Sequence, residues 1–378
     1  MNCRTPLYNR HVSSGARMVD FAGWEMPVQY TGILDEHRTV RESCGIFDIS
    51  HMGEFLVRGG DASKWLDSLL TNSVAALEVG SAQYSLMLND RGGIIDDLIL
   101  YRTAAQEFLL IVNAAKIDED FAWLQEHRDS APFHHDGSGV LEVANFSEKY
   151  AALAVQGPHS PAIFSKVFSF AWTDRRNHIV EFDDATGARM SHAADSGIRS
   201  FIATTGYTGE LGFEILIPAR ESERYWDLFL ASGAKPCGLG SRDTLRLEMC
   251  YPLNGSDLSP ERTPLEAGLG AFVDFGKGCF VGREVLLEQK TKGVQSKLSA
   301  IRVQEKCPPI RPHYTVLAGG QKVAETTSGA LSPSLGCGIA LAYLPFPLAK
   351  PGQDLEIEVR GRQYRACVVK KPFYRSRS

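Results

Sequence analysis

No stretch of the chain approaches the roughly 18 consecutive apolar residues of a membrane-spanning helix, and its first residues hold no apolar signal-peptide core. The expected setting is therefore the cytoplasm of a bacterium, or a mitochondrial matrix once a transit peptide has been removed. No basic run is long enough to grip nucleic acid, and a net charge of -5 works against such a partner. The eight cysteines form no CxxC pair and no Cys/His cluster with zinc spacing, so reduced, mostly structural thiols are expected. His134–His135 stand in a polar stretch, where solvent-facing side chains are expected rather than a metal site. Internal repeats and low-complexity segments are also missing. What remains is an ordinary soluble composition, 44% hydrophobic and 22% charged, in a chain whose 378 residues call for two or three domains.

The most informative stretch runs from Leu86 to Asn113. Three apolar runs, separated by a Gly-containing turn and a polar break, predict two or three β-strands. Alternation puts Ile95, Asp97, Ile99 and Tyr101 on one face of the central strand and Ile94, Asp96, Leu98 and Leu100 on the other. Both faces are apolar apart from one carboxylate each. A carboxylate in such company costs several kcal/mol unless it is partnered. Either both aspartates bond to turn amides at the strand's mouth, or one of them meets a polar ligand.

Before this stretch, 20–27 is aromatic and turn-rich, and Ile33 to Ser43 is predicted to be a helix with Leu34, Arg38 and Val40–Arg41 facing inward. Phe47 to Val57 alternates as one strand, and Asp61 can cap a helix carrying Trp65, Leu66, Leu69 and Leu70. After it, Ile117 to His127 is predicted to be a helix buried through Ile117, Phe121 and Leu124, with a crossover loop at 129–139. Tyr150–Val155 is a strand and Pro161–Phe168 a helix. Residues 201–215 suggest two strands around a tight turn, and Gly206, Gly209 and Gly212 imply a backbone held close to something. Glu214 is a second carboxylate in apolar company. Helices are expected over 221–230 and from Leu239 to Cys250. Beyond about Val294, six short strands between Gly and Pro turns suggest a small all-β barrel or sandwich.

In chain order, Arg4–Leu7, Phe21–Pro27, Asp48–Glu54, Gly92–Leu98, Gly206–Glu210 through Glu214, Gly238–Asp243, Thr327–Pro333 and Lys371–Arg375 resemble the signatures of the glycine cleavage T-protein family, the aminomethyltransferases. The resemblance covers essentially the whole chain. It implies a multidomain α+β fold: a three-domain cloverleaf around a central channel, with a ferredoxin-like insert and a C-terminal β-barrel or jelly roll. The expected division is 1–50 plus 139–250, 51–138 plus roughly 251–290, and 291–378. It also implies an activity. An aminomethyl group on the lipoyl arm of a partner H-protein gives up its one-carbon unit to tetrahydrofolate, yielding 5,10-methylenetetrahydrofolate and ammonia. Other glycine cleavage components are further possible partners, and lipoate belongs to the H-protein alone.

On this resemblance, Asp97 matches the family's catalytic position beside the reacting folate nitrogens, and Asp96 is structural. Glu214 matches the carboxylate that binds adjacent pterin donors in pairs, unless it pairs with Arg242 or Arg246 instead. Tyr84, Asn113 and Tyr207 match positions lining the folate pocket. Arg242 and Arg375 match basic positions around folate and channel, although a basic tail such as 370–375 is often frayed. The implied chemistry needs no metal. Lys277–Glu284 also resembles the signature of a related folate-binding protein of iron–sulfur cluster repair, with Cys279 at its cysteine and Arg283 where that family has Gln. A folate-binding accessory protein and a folate-dependent demethylase of the same fold are thus the alternatives.

Overall fold

Strand alternation sorts the chain into layers, seen in a computed structural model that describes residues 2–129, 141–183 and 198–375. One sheet has five strands in the spatial order Ala82–Leu88, Ile94–Ala104, Glu107–Val112, Gly53–Arg58 and Glu142–Asn145. A second has six, in the order Ile179–Phe182, Ser200–Ala203, Gly212–Pro218, Tyr150–Gln156, Gly45–Asp48 and Lys235–Pro236. The outer face of the five-stranded sheet (Phe55, Leu98, Leu100) packs on Trp65, Leu66 and Leu69 of the Ala62–Leu69 helix and Leu124 of the Ile117–Asp129 helix. The outer face of the six-stranded sheet (Phe213, Ile215, Ile217) packs on Ile163, Phe164, Trp226 and Phe229 of two further helices. Between the sheets lies a shared core in which Tyr101 and Leu109 meet Ala152, Phe201 and Leu216. The period of two then decides where each acid points. Asp97 and Glu214 face this central layer, whereas Asp96 faces the helices.

The described C-terminal strands close into a six-stranded barrel with its own core, Ile301, Val316, Leu344, Ile357 and Val368 among it. This α+β architecture with a terminal barrel is the one expected. No helix among the described residues is long and apolar enough to cross a membrane. The loop expected over 129–139 falls, beyond Asp129, outside the described residues, as does the His134–His135 pair.

Four local expectations need correction. Phe47–Val57 is two strands, Gly45–Asp48 and Gly53–Arg58, in different sheets. Asp48 breaks the run by accepting the Ser50 amide at 2.9 Å, which turns the chain across the gap. The Ile33–Glu42 helix buries Glu36, His37 and Val40 and leaves Leu34 52% exposed. Its inward face is polar because Glu36 accepts the amides of Tyr30, Thr31 and Gly238. Residues 204–211 form a loop between the two strands, not a tight turn. What its glycines admit is side chains of this protein: a Cβ at Gly206 or Gly212 would strike Gln156, and one at Gly209 would strike Met249. Finally, Glu142–Asn145 still pairs with Gly53–Arg58, so the five-stranded sheet extends past the boundary expected at 138.

The barrel is joined to the rest through buried polar contacts. Asp257, 1% exposed, accepts from Arg246 Nη1 at 2.8 Å, Ser328 Oγ at 2.8 Å, Thr327 Oγ1 at 2.5 Å and the Leu253 amide at 3.0 Å. Glu248 accepts from Ser332 and Ser334 of the barrel and from Arg41, and against its burial the neighbouring His37, 3.3 Å away, with Ser332 and Arg41 holds its carboxyl down at about 2. Removing one member of a buried ion pair leaves the other uncompensated. Asp257→Ala is therefore expected to cost about 3 kcal/mol or more in urea unfolding. Asp257→Leu combined with Arg246→Met should recover part of the loss.

Candidate active site

Asp97 is half-buried in the central layer and is held from two sides. Tyr84, on the neighbouring strand, donates its hydroxyl to Oδ2 at 2.9 Å, and the Asn113 amide donates to Oδ1 at 3.0 Å. Asn113 sits just past the Glu107–Val112 strand, where its amide nitrogen also meets the Asp97 carbonyl at 3.0 Å and Asp96 Oδ1 at 2.8 Å. The Asn113 backbone N–H donates to Asp96 Oδ2 at 3.0 Å. The partners are thus groups from adjacent strands, not turn amides. With its NH2 committed to the aspartates, Asn113 has its side-chain carbonyl left as an acceptor for a ligand.

Burial, reinforced by the charge of Asp96, pushes the Asp97 carboxyl up to about 7; its bonds from Tyr84 and Asn113 offset part of this. Such a group can hold or release a proton near neutral pH, as general acid–base work requires.

Across the layer, Glu214 accepts from Thr205 Oγ1 at 2.5 Å, and Thr205 in turn meets the Tyr101 hydroxyl at 2.9 Å. Arg246 is spent on Asp243 and Asp257, so it is not the partner of Glu214. Arg242 feels the Glu214 charge but forms no ion pair with it within 4.0 Å among the described residues. Its guanidinium lies 5.0 Å from the Tyr207 ring, and its Nη1 is buried without a partner. Burial lowers its proton affinity, against the raising effect of the Glu214 charge. Tyr207 stacks on Tyr251 at 5.7 Å and donates its hydroxyl to the Pro252 carbonyl at 2.5 Å. Beside Tyr251 opens a cavity of about 330 Å³, lined also by Met249, Gly268, Leu269 and Lys371.

The structure therefore joins Tyr84, Asp97 and Asn113 directly, and sets Tyr207, Arg242 and Glu214 around the same interlayer space. Arg375 is not brought to them. It is exposed at the end of a tail anchored one residue earlier, where the Tyr374 ring lies 4.1 Å from the Arg41 guanidinium and its amide donates to the Glu248 carbonyl at 3.0 Å. The tail is docked rather than frayed up to that point.

Other groups were not singled out from the sequence. His51 Nδ1 is buried without a partner, and burial lowers its imidazole to about 4. Glu54 faces the central layer with both carboxyl oxygens unpartnered, and burial raises it well above the carboxylate range. Asp120, three residues after Ile117 and four before Leu124 and so on the same helical face as both, is fully buried. A signal for Glu54 was available, since it alternates with Phe55 exactly as Asp97 alternates with Leu98.

A raised carboxyl makes the folded state bind its proton up to about pH 7, whereas the unfolded chain releases it near 3.8. The stability it contributes is complete below 3.8 and is lost as pH rises through 7. Asp97→Asn cannot ionise. It is expected to be more stable than the parent protein at pH 8 by about 1–2 kcal/mol, with the advantage shrinking towards pH 4. Denaturant titrations at the two pH values check this.

Residues 7–277 match the family model described as the GCVT N-terminal domain, and residues 297–375 that of the glycine cleavage T-protein C-terminal barrel domain. An aminomethyltransferase of Desulforamulus reducens is 42% identical over 376 residues, covering 98% of each chain. One from a Nostoc species is 43% identical over 379 residues, covering 99% of this chain and 96% of the relative. The crystal structure of the glycine cleavage system aminomethyltransferase T from Bartonella henselae is similar at a TM-score of 0.89 and 32% identity, covering 100% of this chain and 99% of that one. On this evidence the chain belongs to the glycine cleavage T-protein family.

Proposed function

We propose that the protein is a tetrahydrofolate-dependent aminomethyltransferase that takes its one-carbon unit from the lipoyl arm of a glycine cleavage H-protein. The observation that carries this reading is Asp97: a half-buried carboxyl, gripped by Tyr84 and Asn113 and poised at about 7, at the mouth of an interlayer space lined by unsatisfied polar groups. Folate is a suitable occupant because its pterin offers adjacent N–H donors to a carboxylate and a flat ring to aromatic side chains. Glu214 is assigned to the pterin donors, Tyr84 and Tyr207 to the ring faces, Asn113 to a ring edge, and Arg242 to a ligand acceptor. Arg375 is assigned to the channel rim. The family's three-part division is inferred for this chain as well, with the insert extended to residue 145 by its strand pairing. The bacterial relatives support a cytoplasmic setting.

The reaction these groups would serve balances as follows. The amine nitrogen of the aminomethyl thioether pushes out the thiolate, so the C–S bond breaks and an iminium carbon forms. One folate nitrogen attacks that carbon and gives up its proton, which reaches the thiolate. The second folate nitrogen then closes the ring, and ammonia leaves with the proton it releases. Asp97 orients the reacting nitrogens and carries protons between these steps. The apolar walls keep water from the iminium carbon.

The Lys277–Glu284 segment has a structural task that does not involve Cys279. Lys277 Nζ donates to the carbonyls of Asp67, Leu70 and Asn72 around the end of the Ala62–Leu69 helix, and Arg283 donates to the Phe275 carbonyl at 3.0 Å. Cys279 itself is exposed.

The direct test is ammonia release from aminomethyl-loaded H-protein with and without tetrahydrofolate. Fast release that requires folate and yields methylenetetrahydrofolate is expected; tight folate binding with no release would point to the accessory protein instead. Asp97→Asn is expected to lower turnover by about 10²–10⁴-fold with little loss of folate affinity, and unchanged turnover would sink the role given to Asp97. Glu214→Ala should act on the other parameter. A folate titration is expected to show weakened binding, and wild-type affinity would remove Glu214 from the pterin site.

A further inference from the structure

Behind the candidate active site, on the helix side of the sheet, two carboxyls face each other with no donor between them. Asp96 and Asp120 are both 0% exposed, and neither oxygen of Asp120 finds a hydrogen-bond donor. What Asp120 meets is the Asp96 carboxyl, at hydrogen-bonding range. Two ionised carboxylates in that contact would repel in a low-dielectric site; one shared proton turns the contact into a short, strong bond. The geometry also says which residue carries the proton. Asp96 accepts two N–H bonds, from the backbone and side chain of Asn113, which favour its ionised form. Asp120 accepts none.

We propose that Asp120 is a neutral acid that donates its proton to Asp96, and that the resulting pair is a positioning device for Asp97. This rests on the role assigned to Asp97 above. The transmission is a chain of contacts. Asp120 holds Asp96 ionised; Asp96 holds Asn113 by two bonds; Asn113 spends its amide on Asp97 Oδ1 at 3.0 Å, opposite the Tyr84 hydroxyl at 2.9 Å. The ionised Asp96, one peptide unit from Asp97, is also the charge that keeps the Asp97 proton affinity high. The other charged or titratable groups facing this set are few. Lys116, at the end of the Ala114–Lys116 3-10 turn, and Glu119, on the helix of Asp120, lie beside Asp120, and Tyr84 and Tyr207 face Asp97. Burial and the Asp96 charge raise Asp120 far above the carboxylate range, in keeping with the assignment.

Two variants of the full-length protein separate the steps. Asp120→Asn keeps a donor to Asp96 but no acid; Asp120→Leu removes both. Infrared difference spectra at neutral pH, parent protein minus Asp120→Asn, are expected to show the loss of one component of the protonated-carboxyl C=O band, with those of Glu54 and Asp97 common to both. If the band persists undiminished, Asp120 does not carry the proton. In the pH profile of kcat, Asp120→Leu is expected to let Asp96 take up a proton, so that the limb due to Asp97 moves to lower pH by about one unit. The loss should appear in kcat more than in the KM for folate, and Asp120→Asn should hold the limb where the parent protein has it. A limb unmoved by Asp120→Leu in folded protein overturns the positioning role. Asp97→Asn is the control: if the limb survives it, the Asp97 assignment fails and the transmission fails with it. The infrared band still decides where the proton sits.

Discussion

Two adjacent carboxylates on a strand buried on both faces are the constraint around which this molecule is arranged. Because side chains alternate, Asp96 and Asp97 cannot share a partner face, and each needs its own remedy for lost hydration. Asp96 is stabilised on the helix side by two N–H bonds from Asn113. Asp97 receives only a tyrosine hydroxyl and part of the same amide, and it opens on the space between the sheets. The asymmetry is chemical as well as geometric. The well-bonded acid is the one inferred to keep its charge against its burial; the under-bonded one is left where it can exchange a proton.

The same contrast recurs at larger scale. Where the barrel meets the helix Leu239–Glu248, buried acids are saturated with donors: Asp257 by arginine, two hydroxyls and an amide, Glu248 by serines and Arg41. Those sites bind parts of the chain to one another. In the central layer the polar groups are starved instead: Arg242 Nη1, His51 Nδ1 and both oxygens of Glu54 lack partners. A protein ordinarily satisfies nearly all its buried polar atoms. These unpartnered groups share the central layer with Asp97 and Glu214 and leave it open to a polar ligand.

This division explains what could be seen in the sequence. The three strands over 82–112, the barrel strands and the helix over 117–127 follow from apolar period and turn composition, and the structure has them. Asp97 and Glu214 stood out because a charge interrupts an apolar strand. Asp120 did not, because the neighbouring Asp118 and Glu119 make the run look solvated, although its spacing from Ile117 and Leu124 puts it on their inward face. The Ile33–Glu42 helix misleads for the converse reason. Its inward face is Glu36 and His37, buried because amides and hydroxyls from distant segments meet them, while Leu34 is left outside. Apolar periodicity finds cores made of oil and misses cores made of hydrogen bonds. Likewise Phe47–Val57 alternates without a break, and nothing local reveals that Asp48 turns the chain from one sheet into the other.

That turn is what brings the two halves of the candidate site together. Gly45–Asp48 pairs with Tyr150–Gln156, whose other neighbour carries Glu214; Gly53–Arg58 pairs with Glu107–Val112, whose end carries Asn113. Five residues apart in sequence, the two strands thus anchor the sheet that supplies Glu214 and the sheet that supplies Asp97. Asp48 fixes the crossing through the Ser50 amide and is itself buried against His11 at 2.8 Å and Thr5 at 2.6 Å. Asp48 is thus one tie between the two sheets, beside their shared core and the Tyr101–Thr205 bond, and the proton exchange of Asp97 follows from what is withheld from it.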